Sequence, residues 1–350
     1  MFLGPEVVSC MRVRTPFAPF ALASLLAVSP QLRADGCTTQ AVMSAATRIS
    51  LATAAQTFSQ KVGASDVDGI RSLTIPQYAQ NFEGIRSAIN TAAPHLKGAA
   101  FVVESVWLLD ATGLKPAADG TLQDGQFFCS LNHSAQQVSF LIPSLPAGRY
   151  AFAVVDANNV ASPWQLAFIL QEVAGSWRLA GFFPRATTAG GHDGLWYWQA
   201  ARDFAAKKQP WNAWIYYQQA VTLLRPVSFM SSSHLDALNE EMSRAAPPAL
   251  SQGLSADMPL VLRTATGADL RITALGTDDS LNTSPVDLAL HFKAEPLNDT
   301  AAARARNRAA ALALLAAYPE LRPNFHGVWV FAEVPGQPPF PSEEPMAGLH

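Results

Sequence analysis

The residues able to carry acid–base or metal chemistry are scattered along this 350-residue chain. In the N-terminal half the candidates are Tyr78, His95, Asp110, His133 and Asp156, and no Asp–His spacing sets two of them side by side. His192 and Asp193 are adjacent, but sequence neighbours usually point apart, and Asp193 stands where an N-cap would accept the first free amides of a following helix. The loops "DVDG", from Asp66, and "GTDDSLNTSP", with Asp278 and Asp279, lack the spaced acids and distal Glu of a calcium loop and read as turns. His291 falls in a strand-like run, His326 near a turn and His350 at the terminus. There is no GxSxG elbow, HExxH pair, glycine-rich phosphate loop or cysteine pair at zinc spacing. The expectation is therefore no metal and no cofactor.

Composition narrows the class of partner. An apolar share of 49% with 15% charged residues describes a globular chain with a large core. A formal charge of −3 gives no general attraction to nucleic acid. Arg304, Arg306 and Arg308 would spread over two sides of a helix, forming a solvated face and no phosphate-binding stripe.

The elements that must position these groups begin after an export signal. In "MRVRTPFAPFALASLLAVSPQLRADGC", Arg12 and Arg14 precede a short apolar run from Phe17 to Val28, the order that secretory signals use, so residues 1–34 are expected to be removed after Ala34. A buried N-terminal helix is the alternative. The run is too short to persist as a membrane anchor, so no transmembrane span is expected in the mature chain. Cys37 and Cys129 then remain, and an oxidising compartment makes them a natural disulfide. Acylation of Cys37, which would anchor the protein to lipid and leave Cys129 a lone thiol, is the competing outcome. The location expected is periplasmic or secreted.

From Ser44 to about Pro94 the apolar period is helical, and after Gly98 it becomes that of short β-rich runs. In the last pair Trp164, Leu166, Phe168 and Leu170 share one side, as do Trp177, Leu179, Gly181 and Phe183 on the return strand, which predicts an antiparallel hairpin. The fold class expected is α+β: N-terminal helices packed on a curved antiparallel sheet, a central helical hairpin, and a small C-terminal α+β unit. The turn "SDVDGIRSL" and the hairpin "WQLAFILQEVAGSWRLAGFFP" resemble those of the nuclear-transport-factor-two-like, or cystatin-like cone, superfamily, over residues 44–186. That resemblance implies a cone that serves as a binding surface in many members and an enzyme pocket in some.

In "LWYWQAARDFAAKKQPWNAWIYYQQA" two amphipathic helices follow each other, with Tyr197, Ala201 and Phe204 on one face and Ala213, Tyr217 and Ala220 on the other's. Together with Pro226 these positions resemble a single tetratricopeptide repeat, within a helical segment spanning 190–246; Lys208 stands where that motif uses Gly. One repeat cannot bury its own face, so it must dock on the preceding sheet or on the segment "SSSHLDALNEEMSRAA". Trp198, Trp211 and Trp214 are not needed by the repeat pattern and are the candidate binding aromatics.

Residues 258–335 read as a small α+β domain, and 336–350, rich in Pro, as a disordered tail that tolerates truncation. The function expected is a non-catalytic envelope protein that binds or scaffolds a protein partner or small apolar ligand, of open oligomeric state. The alternative is a cone-pocket enzyme of hydrolase or isomerase type using the scattered Asp and His groups.

Overall fold

A computed structural model describes residues 36–130 and 136–350, and the export-signal reading of residues 1–34 lies outside them. The fold class is α+β. The first half contains β1 (Gly36–Thr39), α1 (Ala45–Gly63), α2 (Val67–Ser72), α3 (Pro76–Gln80), α4 (Glu83–Ala92), β2 (Ala100–Asp110), β3 (Gly125–Ser130), β4 (Gln137–Ile142), β5 (Arg149–Asn158), β6 (Trp164–Val173) and β7 (Ser176–Ala186). Ser44 and Asp66 start α1 and α2 by accepting the amides of Thr47 and Gly69.

Five of these strands form an antiparallel sheet in the order β1-β2-β5-β6-β7. Its two faces meet different layers. Ala151, Ala153 and Val155 of β5 pack with Leu51, Phe58 and Ile89 of the helices. Phe152 and Val154 pack with Phe127 and Phe140 of a second sheet. Burial on both faces explains why "YAFAVVDA" is an almost unbroken apolar run. The Cys37–Cys129 disulfide, with Cα atoms 5.4 Å apart, joins β1 to β3 and so ties the two sheets together.

The hairpin β6–β7 departs from simple alternation. Its register shifts between Ile169 and Leu170, which pair with Gly181 and Leu179 and leave Ala180 as the extra residue. Beyond a bulge the faces exchange, so Phe182 joins Leu179 in the helix-facing core while Phe183 turns to Phe229. The grouping of Phe183 with Leu179 is corrected accordingly.

The second half contains β8 (Thr188–Ala189), β9 (His192–Asp193), α5 (Gly194–Ala206), α6 (Pro210–Leu224), β10 (Met230–Ser232), α7 (Ser233–Ala245), β11 (Leu260–Arg263), β12 (Asp269–Asp278), β13 (Asp287–Lys293), α8 (Thr300–Ala317), β14 (Gly327–Glu333) and β15 (Phe340–Pro345). Strands β11 to β15 form a sheet in sequence order, antiparallel except for β13 and β14, which run parallel across the α8 crossover. Leu288, Leu290, Val328 and Val330 turn one face of this sheet into a core shared with Ala311 and Leu314 of α8 and with Tyr197, Trp211 and Tyr216 of α5 and α6.

Two boundaries read from the sequence move as a result. The α5–α6 hairpin is covered by Leu235 and Leu238 of α7, as expected, and also by the C-terminal sheet, so 190–246 and 258–335 share one core. Strand β10, inside the expected helical segment, pairs with β4 of the N-terminal half and buries Met230 beside Phe140. Lys208 adopts φ +58°, the left-handed backbone for which Gly is the usual residue at that helix end.

The disordered-tail reading is also corrected. Residues 340–345 pair antiparallel with β14, and Leu349 is completely buried. Without β15 the amides and carbonyls of β14 would form a bare edge. Asn307, buried in α8, donates to the carbonyls of Val330 and Phe340 and to Ser342 Oγ, and Arg308 pairs with Glu344 at 3.1 Å. Proline is tolerated here because β15 is an edge strand.

Deleting residues 338–350 is expected to cost about 2 kcal/mol or more from the lost burial of Leu349 alone. It should also promote association through β14. Chemical denaturation and light scattering test this; an unchanged midpoint in a monodisperse truncated protein would contradict the strand's role.

Candidate functional site

The acid–base candidates of the first half do not gather in one place. His133 lies outside the described residues. His95 stacks on Trp164 at 4.8 Å, and Tyr78 is an exposed side chain of α3. Asp110, at the end of β2, accepts from the amide and hydroxyl of Thr112, which hold its carboxyl below the ordinary value. Asp193 caps α5 by accepting the Trp196 amide at 2.8 Å, and His192 stacks on the Trp196 ring.

Asp156 has company that the sequence did not disclose. A cleft of about 400 Å³ is lined by Glu104, Trp107, Asp156, Gln165 and Arg185 of the first sheet and by Leu195 and Leu224 of the helical hairpin. The bulge between Val103 and Ser105 lies at Glu104. Gln165 Nε2 donates to Asp156 at 3.0 Å and to Glu104 at 3.3 Å, while its Oε1 accepts from Arg185 at 2.6 Å. Arg185 also donates to the Leu223 carbonyl at 2.5 Å, capping the last turn of α6.

Burial pushes the Glu104 carboxyl up, and the Asp156 charge adds to this while Arg185 opposes it. Burial likewise brings Arg185 down to about 10, against the pull of Asp156 and Glu104. The cleft thus holds an acid of raised pKa beside a second carboxylate, but their hydrogen bonds also serve to fasten the hairpin to the sheet.

The three candidate tryptophans are packing groups to different degrees. Trp211 is 4% exposed, its ring lies 4.2 Å from Tyr318, and its backbone amide donates to Glu320. Its assignment as a binding aromatic is therefore corrected: no face of it is free. Trp214 is half-buried edge-on to Trp211. Trp198 donates through Nε1 to Glu241 at 2.9 Å beneath the Arg202 guanidinium, 4.7 Å from its ring. Glu241 accepts two bonds from Arg202 and one from Tyr217 as well. The Arg202 hydrogen bonds lead in bringing its carboxyl down to about 2.

A larger and more apolar groove of about 840 Å³ opens where α8 leaves the C-terminal sheet. Leu270, Phe292, Leu297, Ala309 and Ala310 line it together with Arg306. The Arg306 guanidinium sits 5.7 Å from the Phe292 ring and donates through one Nη to the Glu295 carbonyl, and its Nε is buried without a partner. Arg271 and Lys293 stand with Asp269, Glu295 and Glu333 among its lining residues.

One further group was invisible along the chain: Asp287, His326 and Glu343 place ligand-type atoms within 4.8 Å of one another. The three come from separate strands and loops, and Glu343 belongs to the segment read as a tail. Only pairing of β14 with β15 brings it to the others. Comparison with family models, curated proteins and solved structures finds no match for this chain.

Glu241 gives a prediction with a definite sign. Its folded pKa lies below the ordinary 4.5, so its contribution to stability is complete above that value and fades as the pH falls toward about 2. Glu241→Gln should remove that part of the acid dependence while leaving the neutral-pH fold intact. Parallel unfolding curves of the two proteins between pH 5 and pH 2, offset but identical in pH dependence, would contradict it.

Proposed function

We propose that this chain is an exported, non-catalytic binding module of the periplasm or extracellular space, whose ligand is a small apolar molecule carrying an anionic group. The observation that carries this reading is the groove beside α8. Its volume falls within the range of about 300–1,000 Å³ usual for small-molecule sites. An apolar floor of Leu270, Phe292 and Ala310 would take the body of the ligand, and the Arg306 guanidinium among the lining residues would take its anionic end.

The location rests on a separate argument. A Cys37–Cys129 disulfide persists in an oxidising compartment, and a sulfur already engaged in it has no thiol left to acylate. No helix among the described residues is long and apolar enough to cross a membrane. The cone-like and repeat-like resemblances add a precedent for binding surfaces and nothing about the ligand. A protein partner in place of the small molecule would have to use other surfaces, since Trp198, Trp211 and Trp214 are engaged internally.

The cone-pocket enzyme remains a second reading because Glu104, with its raised pKa, and Asp156 share one cleft. It requires an ester or similar substrate whose turnover Glu104→Gln abolishes. The binding reading requires no turnover there.

Titration with the apolar anion anilinonaphthalene sulfonate, followed by displacement with decanoate, tests the proposal. Saturable binding at one site is expected. Ala309→Trp should abolish it by filling the groove, and Arg306→Leu should erase the preference for decanoate over decanol. Binding unaffected by both substitutions would overturn the groove as the site.

A further inference from the structure

The cluster at the far end of the C-terminal sheet is built from chain ends that its topology forces together. β13 and β14 run parallel, so Asp287 at the start of β13 and His326 just before β14 lie at the same end. Glu343 of β15 stands opposite Trp329, bringing its carboxylate to that end from the other side. His326 Nδ1 lies 2.9 Å from Asp287 Oδ1. Between the strands is Gly327, where an added Cβ would meet Glu343 Oε1 at 2.6 Å and Asp287 Oδ1 at 3.1 Å. The absence of a side chain there is what lets both carboxylates approach.

The polar accounting at this end does not close. The Asp287 side chain is 1% exposed, yet its Oδ2 has no hydrogen-bond partner, and neither has the buried Oε1 of Glu343. Among the described residues no Lys or Arg forms an ion pair with either carboxylate, and His326 is the basic group beside them. Leaving a buried carboxylate oxygen unpaired next to a second carboxylate is costly, and a structure that retains both is expected to compensate the charge. Protonation of one acid is one way to do so. A divalent cation does more, because both carboxylates and the imidazole can ligate it together.

We propose that Asp287, His326 and Glu343 form a binding site for a divalent transition-metal ion of the zinc class. Two carboxylate oxygens and one imidazole nitrogen are a mixed donor set that suits Zn²⁺ and its first-row neighbours, whereas sites for calcium or magnesium are built from oxygen. To ligate through Nδ1, the His326 ring exchanges its hydrogen bond with Asp287 for the metal; Nε2 is the alternative donor. His326 is exposed and Glu343 partly so, which gives an ion an entry path and lets solvent complete a tetrahedral shell. This departs from the sequence expectation of no metal, and it is independent of the groove, whose lining residues are different.

The test is isothermal titration of the full mature chain, freed of metal with EDTA, with Zn²⁺ alone, accompanied by thermal unfolding of each protein. Wild type is expected to bind one Zn²⁺ per chain and to unfold at a higher temperature with it. Glu343→Gln and Asp287→Asn should each weaken binding by about 100-fold, the upper end of what loss of even a supporting partner costs a metal site. His291→Ala, a change to another histidine of the same sheet, should leave binding as in wild type. Because Glu343 is partly exposed and the substitution relieves repulsion with Asp287, the Glu343→Gln protein should fold at least as well as metal-free wild type. Failure of folded wild type to bind Zn²⁺ stoichiometrically, or binding retained in folded Glu343→Gln, would overturn the site.

Discussion

Two helices side by side cannot bury their own apolar faces, and the second half of this protein is organised around relieving that constraint. α5 and α6 turn Tyr197, Trp211 and Tyr216 onto a core that also contains Leu270, Leu290, Leu314 and Val330. Burying each such side chain contributes roughly 1.5–3 kcal/mol, so the contact is large against the net stability of about 5–15 kcal/mol typical of a domain. The hairpin and the C-terminal sheet consequently make one core, although β10, α7 and residues 246–259 separate them in sequence. Trp211, which in sequence looks like part of a recognition surface, is consumed by this docking.

The same arrangement decides where chemistry is left over. One face of the C-terminal sheet is taken by helices, and the groove opens where α8 ends its contact with Leu270 and Phe292. The Asp287–His326–Glu343 cluster lies toward the ends of β13, β14 and β15, away from the groove. Arg185 links this half to the first by spanning Gln165 on the sheet and the carbonyl end of α6. Arg185 also fixes Gln165, whose amide in turn donates to Asp156 and Glu104 and so holds both carboxylates in place.

Much of the architecture was legible because local rules and tertiary context agree. Helical period before Gly98 and β-rich runs after it correspond to observed elements, and Asp193 caps α5 as its type implies. The exceptions each have a nonlocal cause. Ala180 is an ordinary residue in sequence, yet as the extra residue of a bulge it swaps Phe182 for Phe183 in the core. The Pro-rich terminus lacks strand character and becomes a strand because β14 offers an unpaired edge and Asn307 supplies an amide to hold it. The candidate sites were least visible of all: Glu104 meets Asp156 across a β-ladder, and Asp287, His326 and Glu343 meet only after three strands are paired. No spacing rule along the chain encodes either meeting.

The claim that the helical hairpin and the C-terminal sheet are one cooperative unit is tested most directly by native-state hydrogen exchange on the intact chain over a range of denaturant. The amides of α5, α6, β13 and β14 are predicted to converge on a single opening free energy. Exchange of α5 and α6 through an opening that leaves β13 and β14 protected would contradict the account.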